Sequence, residues 1–129
     1  MSEGKEILHD LFSSVNQSID LIAERFVKIK VPKDFVSTAN GLETLDATSM
    51  RLQFIGESLK KVEKFDADFF SSYPETDWSK IINLRDFISH HYDMLNHEII
   101  FNICEEHIPK LKIQIEKIIN DLGNAYSIV

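Results

Sequence analysis

The sequence has little of what many functional sites require. It contains one cysteine, Cys104, which excludes an internal disulfide and a cysteine-based zinc site. Its four glycines are scattered, and none belongs to a glycine-rich loop that could cradle a nucleotide phosphate. No serine lies on the strained elbow that a Ser-His-Asp nucleophile needs. These absences exclude several large classes of enzyme.

Long apolar runs and basic blocks are missing as well. No segment approaches about 18 consecutive apolar residues, and the N-terminus lacks the cationic start and apolar run of a signal peptide. We therefore expect a cytoplasmic protein with no membrane partner. Acidic residues outnumber basic residues by 21 to 14, a net charge of −7. This balance argues against a dedicated high-affinity nucleic-acid binder, although a nuclease that contacts one or two phosphates remains possible.

No segment alternates as a strand would, and apolar residues instead recur at helical spacings of three and four. Helices are predicted from about Lys5 to Val27, from about Gly41, and from His97 onward. In the order of these three helices, the apolar positions are Ile7 or Leu8, Leu11, Val15, Ile19, Ile22 and Phe26; Leu42, Leu45, Leu52, Ile55, Leu59 and Val62; and Ile100, Cys104, Ile108, Leu111, Ile115, Ile118 and Leu122.

The predicted architecture is all-α, a bundle of four long helices plus short ones. With 129 residues and 43% apolar content, the chain can build a single domain over 1–129, with 1–4 and 124–129 as frayed tails. Asp77 and Asn96 are predicted N-caps. Pro109 either interrupts the last helix or starts a new one, and Gly123 is its predicted stop. Gly56 indicates close helix packing, the alternative being a tolerated glycine.

The stretch from Arg85 to Tyr92 concentrates a cation, a carboxylate, two imidazoles and a phenol. On a helix led by Trp78, Arg85 and Tyr92 lie on an otherwise apolar stripe. Because arginine cannot shed its charge, its place there indicates a protein interface, an ion pair or an anion site. A structural arginine–carboxylate pair beside a surface histidine is the alternative. We expect no metal cofactor, since the spacing of the histidines and acidic residues matches no zinc or di-iron motif.

Four motifs, in order, resemble those of one family. Arg85, His90 and Tyr92 match the Arg-x4-His-x-Tyr signature of HEPN domains, in particular the HepT-like ribonuclease toxins. The stretch 54–61, the run from Pro74 through Trp78 to Arg85, and the stretch 106–111 resemble that family's other conserved segments. Asp86 stands where the family most often has asparagine. His91 replaces its usual glycine or acidic residue, and the spacing selects His90 over His91 as the working imidazole.

The resemblance implies a HEPN-like bundle that acts as a homodimeric, metal-independent endoribonuclease on RNA. Arg85 and His90 would be catalytic, and Asp86 would orient His90. The family's toxins are neutralised by a cognate minimal nucleotidyltransferase antitoxin, which can attach AMP to the tyrosine at the position of Tyr92. Without that resemblance, the sequence indicates only that Tyr92 is an amphipathic aromatic residue at a helix end.

Helix geometry adds a constraint on this site. Positions 85 and 90 lie about 140° apart around one straight helix, so their side chains would not meet on one phosphate. Either a two-fold axis brings two copies together, or the helix ends between the two residues. A different class of function also remains open: a non-catalytic HEPN-like module that uses Arg85 and His90 to hold a nucleotidyltransferase or a nucleotide.

Overall fold

The structure is a computed structural model that describes residues 3–90 and 96–127, except for the side chains of His90 and of residues 124–127. Three long helices come first: α1 (Glu3–Phe26), α2 (Ala39–Phe65) and α3 (Trp78–His90). A fourth long segment consists of α4 (His97–Asn102), a π turn (Ile103–His107) and α5 (Ile108–Ser127). Short 3₁₀ turns cover Pro32–Phe35 and Phe69–Ser72. The described ranges contain no strand, which confirms the all-α bundle. The single domain with its tails stays a prediction.

The core lies where the apolar stripes of the long helices face one another. Helix α1 packs against α2 and α5, and α2 also packs against α3. Side chains with almost no exposure include Phe12, Val15, Ile19, Ile22, Leu52, Ile55, Leu59, Ile88, Ile100, Ile115 and Ile118. Most of the predicted apolar positions are thus confirmed, and Leu8 rather than Ile7 is the buried member of its pair.

One predicted core position, Leu42, is wrong, because its side chain is 46% exposed. Helix α2 begins at Ala39, with the Thr38 hydroxyl accepting a hydrogen bond from the Gly41 N–H at 2.9 Å. Gly41 is buried against the backbone of Asp34, so the inward-facing positions of this turn are Gly41 and Leu45. Leu42 is one step further round the helix and faces solvent.

The two predicted caps are confirmed. The Asp77 carboxylate accepts a hydrogen bond from the Lys80 N–H at 3.3 Å, at the start of α3. The Asn96 side chain accepts from the N–H groups of Glu98 and Ile99, at the start of α4. Each cap satisfies donors that the first helical turn leaves without a partner.

The prediction for Pro109 is confirmed and the prediction for Gly123 is wrong. The π turn interrupts the last helical segment, and α5 begins at Ile108, one residue before Pro109. Pro109 lacks an N–H and would crowd the carbonyl four residues earlier, and the π turn just before it relieves that conflict without ending the helical path. Gly123 does not stop α5, which continues to Ser127. No glycine among the described residues has a positive φ, so Gly123 does not form the left-handed cap on which that prediction relied.

An aromatic cluster fixes the point at which α3 begins. The rings of Phe70 and Trp78 stack with their centroids 4.3 Å apart, and the Trp78 indole donates a hydrogen bond to the Tyr73 carbonyl at 2.8 Å. The Tyr73 hydroxyl donates to Asp121 on α5 at 2.8 Å. Burial, followed by the hydrogen bond to Asp121, raises the pKa of Tyr73 to about 12. The start of α3 is therefore held by packing and by hydrogen bonds.

Cys104 belongs to this core. It is 4% exposed, and burial raises the pKa of its thiol to about 12, which disfavours the reactive thiolate. In the parts of the chain that the structure describes, no helix is long and apolar enough to cross a membrane.

Helices α2 and α3 lie close together at Gly56. A Cβ atom built there would lie 3.1 Å from both the Arg85 amide nitrogen and the Ile82 carbonyl oxygen, and 3.2 Å from the Arg85 Cβ. Two of these three atoms belong to the backbone of α3, so relieving the contact would require a shift of the helix. The interpretation of Gly56 as a close-packing position is confirmed.

We predict that Gly56→Ala will not give the stabilisation that replacing a helical glycine normally brings, about 0.5–1 kcal/mol. The gain in helix propensity would be opposed by the crowding against α3, leaving the variant neutral or less stable than the wild type. Chemical denaturation followed by circular dichroism measures the change.

Gly123→Ala is the matched control. Gly123 also lies within a helix, but a Cβ atom there would meet no described residue within 4 Å beyond its own stretch of helix. That variant should show the full gain in stability. Equal stabilisation by the two substitutions would contradict close packing at Gly56.

Candidate functional site

The candidate site is built on the contact between α2 and α3. The Gln53 amide donates a hydrogen bond to the Ser89 hydroxyl at 2.9 Å, and Gly56 lies against Arg85. As the residue number rises along α2, the number of the contacting residue on α3 falls. The two helices are therefore antiparallel. Arg85 is held beside the middle of α2 because Gly56 allows the backbones to approach there.

Arg85 forms an ion pair with Glu57 on the neighbouring helix. Its Nε lies 3.1 Å from the Glu57 Oε1, and the two side chains are 39% and 45% exposed. The ion pair anticipated for an arginine on this stripe is present, at the half-exposed edge of the helix contact. Nε carries one of the five N–H donors of a guanidinium group, so four donors remain on the terminal nitrogens.

The exposure of the Arg85–Glu57 pair limits its contribution to the fold. Ion pairs open to solvent are typically worth less than about 1 kcal/mol. Both helices also bury apolar side chains in the common core: Ile55 and Leu59 of α2 and Ile88 of α3 are each at most 1% exposed, and burying a side chain of this size is worth about 1.5–3 kcal/mol. Apolar packing therefore holds α2 against α3, and stability alone accounts poorly for the charged pair.

A charged cleft adjoins Arg85. It has a volume of about 180 Å³ and is lined by Arg85 together with Glu57, Lys60, Lys61 and Lys64 of α2. The spacing of three, four and seven residues from Glu57 places all three lysines on one face of α2. In a chain of net charge −7, the described residues of this cleft place four cations beside one carboxylate.

The other predicted site residues are placed only in part. His90 is the last residue of α3, and its side chain lies outside the described residues, as do His91 and Tyr92 altogether. Asp86 is exposed and precedes His90 by one helical turn, the spacing at which two residues share a face. Helix α3 is unbroken from Trp78 through His90, so it does not end between positions 85 and 90. The catalytic assignments stay predictions.

A second hollow lies on another side of α3. It measures about 320 Å³, and its apolar lining comes from Ile81 and Leu84 of α3, Ile103 of the π turn, and Leu111 of α5. Arg85 and Asp86 are the predicted site residues whose side chains the structure describes, and neither lines it. Its lining also includes Lys80, His107 and Lys110, so charged and titratable side chains occur here as well as at the α2–α3 edge, which is where Arg85 lies.

Sequence reasoning missed Glu57 as the partner of Arg85, and it missed the lysines beside them. The available signal was the charged face of α2, where Glu57, Lys60, Lys61 and Lys64 recur at helical spacing. That pattern is typical of an ordinary solvated face, so it did not by itself indicate a site. The packing of α3 against α2 brings Arg85 next to this charged face.

Comparison with known proteins identifies the class. Residues 15–118 match the family described as Ribonuclease HepT-like. This match spans most of the chain and includes α2, α3 and the charged cleft. The chain belongs to the HepT-like ribonuclease family.

Individual relatives agree with this assignment. The chain is 30% identical over 117 residues to "Putative RNase MJ0127" of Methanocaldococcus jannaschii, an alignment that covers 91% of this chain and 84% of that protein. It is 28% identical over 109 residues to "Probable ribonuclease HepT" of Thermococcus cleftensis, covering 84% of this chain and 93% of that protein. No solved structure matches the chain at a significant level.

Proposed function

We propose that this protein is a metal-independent endoribonuclease, the toxin of a toxin–antitoxin pair, with its active site formed by Arg85 and His90 at a homodimer interface. Membership of the HepT-like ribonuclease family supports the activity, as do the ribonuclease names of its relatives. The observation that carries the site is the position of Arg85, held at a half-exposed edge within a charged cleft.

Arg85 is suited to binding the scissile phosphate. Glu57 engages its Nε, which fixes the plane of the guanidinium and leaves the two terminal nitrogens available for a bidentate phosphate contact. Negative charge grows on the phosphate oxygens as the ribose 2′-oxygen attacks phosphorus. A permanently charged, oriented arginine stabilises that transition state more than it stabilises the ground state.

His90 would act as the acid–base catalyst, since imidazole exchanges a proton near neutral pH. It takes the proton from the ribose 2′-hydroxyl as the 2′-oxygen bonds to phosphorus. The bond from phosphorus to the 5′-oxygen then breaks, and that oxygen receives a proton. The products are a 2′,3′-cyclic phosphate and a free 5′-hydroxyl. Asp86, one turn before His90, would orient the imidazole.

The unbroken α3 supports a site shared by two protomers. Positions 85 and 90 are about 140° apart on a continuous helix, so one copy does not direct both at the same phosphate. A two-fold axis beside α3 would bring Arg85 of one protomer towards His90 of its partner. In this arrangement, each catalytic pair is completed in trans.

The antitoxin in this proposal is a minimal nucleotidyltransferase that adds AMP to Tyr92. Tyr92 is two residues beyond His90, so an attached AMP would bring bulk and negative charge to the catalytic segment. It would compete with the RNA phosphate for the cations of the site. The proposal also keeps the cytoplasmic location expected from the sequence.

We predict that Arg85→Ala and His90→Ala will each lower RNA cleavage by at least about 100-fold, because each removes a group needed in the transition state. Cleavage of a labelled single-stranded RNA, with EDTA present, measures the loss. Wild-type activity should persist in EDTA, and a substrate with 2′-deoxyribose at the cleaved position should stay intact.

His107→Ala is the matched control for His90→Ala. His107 is exposed on the π turn, away from the α2–α3 edge, so its removal should leave cleavage unchanged. Circular dichroism should show the same helicity in all variants. Undiminished cleavage by either catalytic variant would refute the assignment, and intact RNA with wild-type protein that still binds a nucleotidyltransferase would favour the non-catalytic module.

A shared site makes a separate prediction for mixed dimers. Arg85→Ala and His90→Ala protomers, each inactive alone, should regain activity when mixed under conditions that exchange subunits. Each mixed dimer would hold one intact Arg85–His90 pair across the interface. Random mixing should restore about a quarter of wild-type activity. Mixtures that remain inactive although mixed dimers have formed would show that the pair works within one protomer.

We predict that co-expression with the cognate nucleotidyltransferase will add the mass of one or more AMP groups to the protein and suppress its cleavage of RNA. Tandem mass spectrometry should locate the first AMP on Tyr92. The Tyr92→Phe variant should keep its cleavage activity and lack the modification there. Suppression of the wild type with an unmodified Tyr92 would instead indicate inhibition by binding alone.

A further inference from the structure

We propose that Lys60, Lys61 and Lys64 form a binding track for RNA phosphates next to the one held by Arg85. This inference rests on the proposed ribonuclease function and extends it to the substrate on one side of the cleaved bond. The three lysines and Arg85 line a single cleft, although they come from two different helices.

The direction of the track follows from the antiparallel helices. Ser89, next to His90, pairs with Gln53, and Arg85 pairs with Glu57. The lysines continue along α2 in the same direction, past Arg85 and away from the His90 end of α3. Residues 57 to 64 span about 10 Å along the helix axis. That length accommodates one or two further phosphates of an extended strand.

The chemistry of the cleft favours a polyanion as its occupant. The five described residues that line the cleft are all charged, and a charged lining is unlike the apolar pocket that anchors the centre of a protein–protein interface. Lys61 and Lys64 are exposed and Lys60 is half-buried, so their ammonium groups can reach a strand lying along the helix. Lysines serve well as point-charge contacts to phosphate.

Glu57 supplies the one carboxylate among the described residues of the cleft, and its Oε1 lies against the Arg85 Nε, so the charges of the three lysines are not cancelled there. The last turn of α2 carries Lys64 near the negative end of the helix dipole. Complementing that dipole is the competing explanation for the lysines, and it predicts an effect on stability without any effect on RNA binding.

The test uses the triple variant Lys60→Gln, Lys61→Gln, Lys64→Gln. In the His90→Ala background, its binding to a labelled single-stranded RNA should be at least about tenfold weaker than that of His90→Ala alone. Because about 0.7 counterions are released per phosphate contact and the track holds one or two phosphates, the slope of log affinity against log salt should fall by about 1. With His90 intact, KM should rise with little change in kcat. The triple Lys→Arg variant should restore binding.

A second triple variant controls for overall charge. Lys28→Gln, Lys30→Gln, Lys33→Gln removes three exposed lysines near the opposite end of α2 and changes the net charge by the same amount. It should retain the affinity and salt dependence of the parent protein. A Lys60, Lys61 and Lys64 variant that matches this control in both quantities overturns the track, as does an absence of RNA binding by every variant.

These outcomes separate the two proposals. If cleavage depends on His90 and the two triple variants bind RNA equally well, the track is wrong and the ribonuclease site stands. If cleavage survives His90→Ala and only the Lys60, Lys61 and Lys64 variant loses affinity, the catalytic assignment is wrong and the track stands.

Discussion

The close antiparallel contact between α2 and α3 is the constraint on which the candidate site depends. Because Gly56 has no Cβ atom, the backbone of α3 can approach α2 closely at Arg85. The apolar residues beneath hold the two helices in register. A guanidinium group that would otherwise extend freely is thereby placed beside Glu57 and the lysines of α2. The close packing at Gly56 therefore determines where the charge of Arg85 lies.

In the proposed function, the continuity of α3 limits what one chain can do by itself. Because α3 continues unbroken through His90, the angle between positions 85 and 90 is set by the pitch of the helix. No loop lies between the two positions, and in the proposed dimer a second copy of the helix would bring them together. A shared site would then make catalysis depend on dimerisation, so a free protomer would carry both groups without a working pair.

Much of the fold could be predicted from the sequence, because helical spacing of apolar residues reports burial directly. The stripes of α1, α2 and α5 and the caps Asp77 and Asn96 were predicted for physical reasons that the structure bears out. The errors occur where one residue type has several uses. Gly123 resembles a helix stop but lies inside α5, and Leu42 resembles a core residue but lies in a turn whose buried position belongs to Gly41.

The site was less predictable than the fold. Arg85 could be singled out because a charge on an apolar stripe requires an explanation. An ion pair is one of the three explanations that the sequence suggests. Its partner could not be chosen from the sequence, since many carboxylates are available and only tertiary packing brings Glu57 to 3.1 Å. The lysines were harder still to predict, because exposed charges at helical spacing occur on most helices.

The Glu57 carboxylate presents an electrostatic problem for any anion bound at Arg85. It fixes the guanidinium, but it also repels a phosphate held by the terminal nitrogens of the same group. At distances of about 5–6 Å in a partly solvated cleft, that repulsion is on the order of 1–3 kcal/mol. Further cations within the same range would offset it, and Lys60, Lys61 and Lys64 line the cleft that contains both groups. An oriented arginine with a carboxylate partner therefore needs such neighbours in order to bind a phosphodiester, and in a chain of net charge −7 they have to be local.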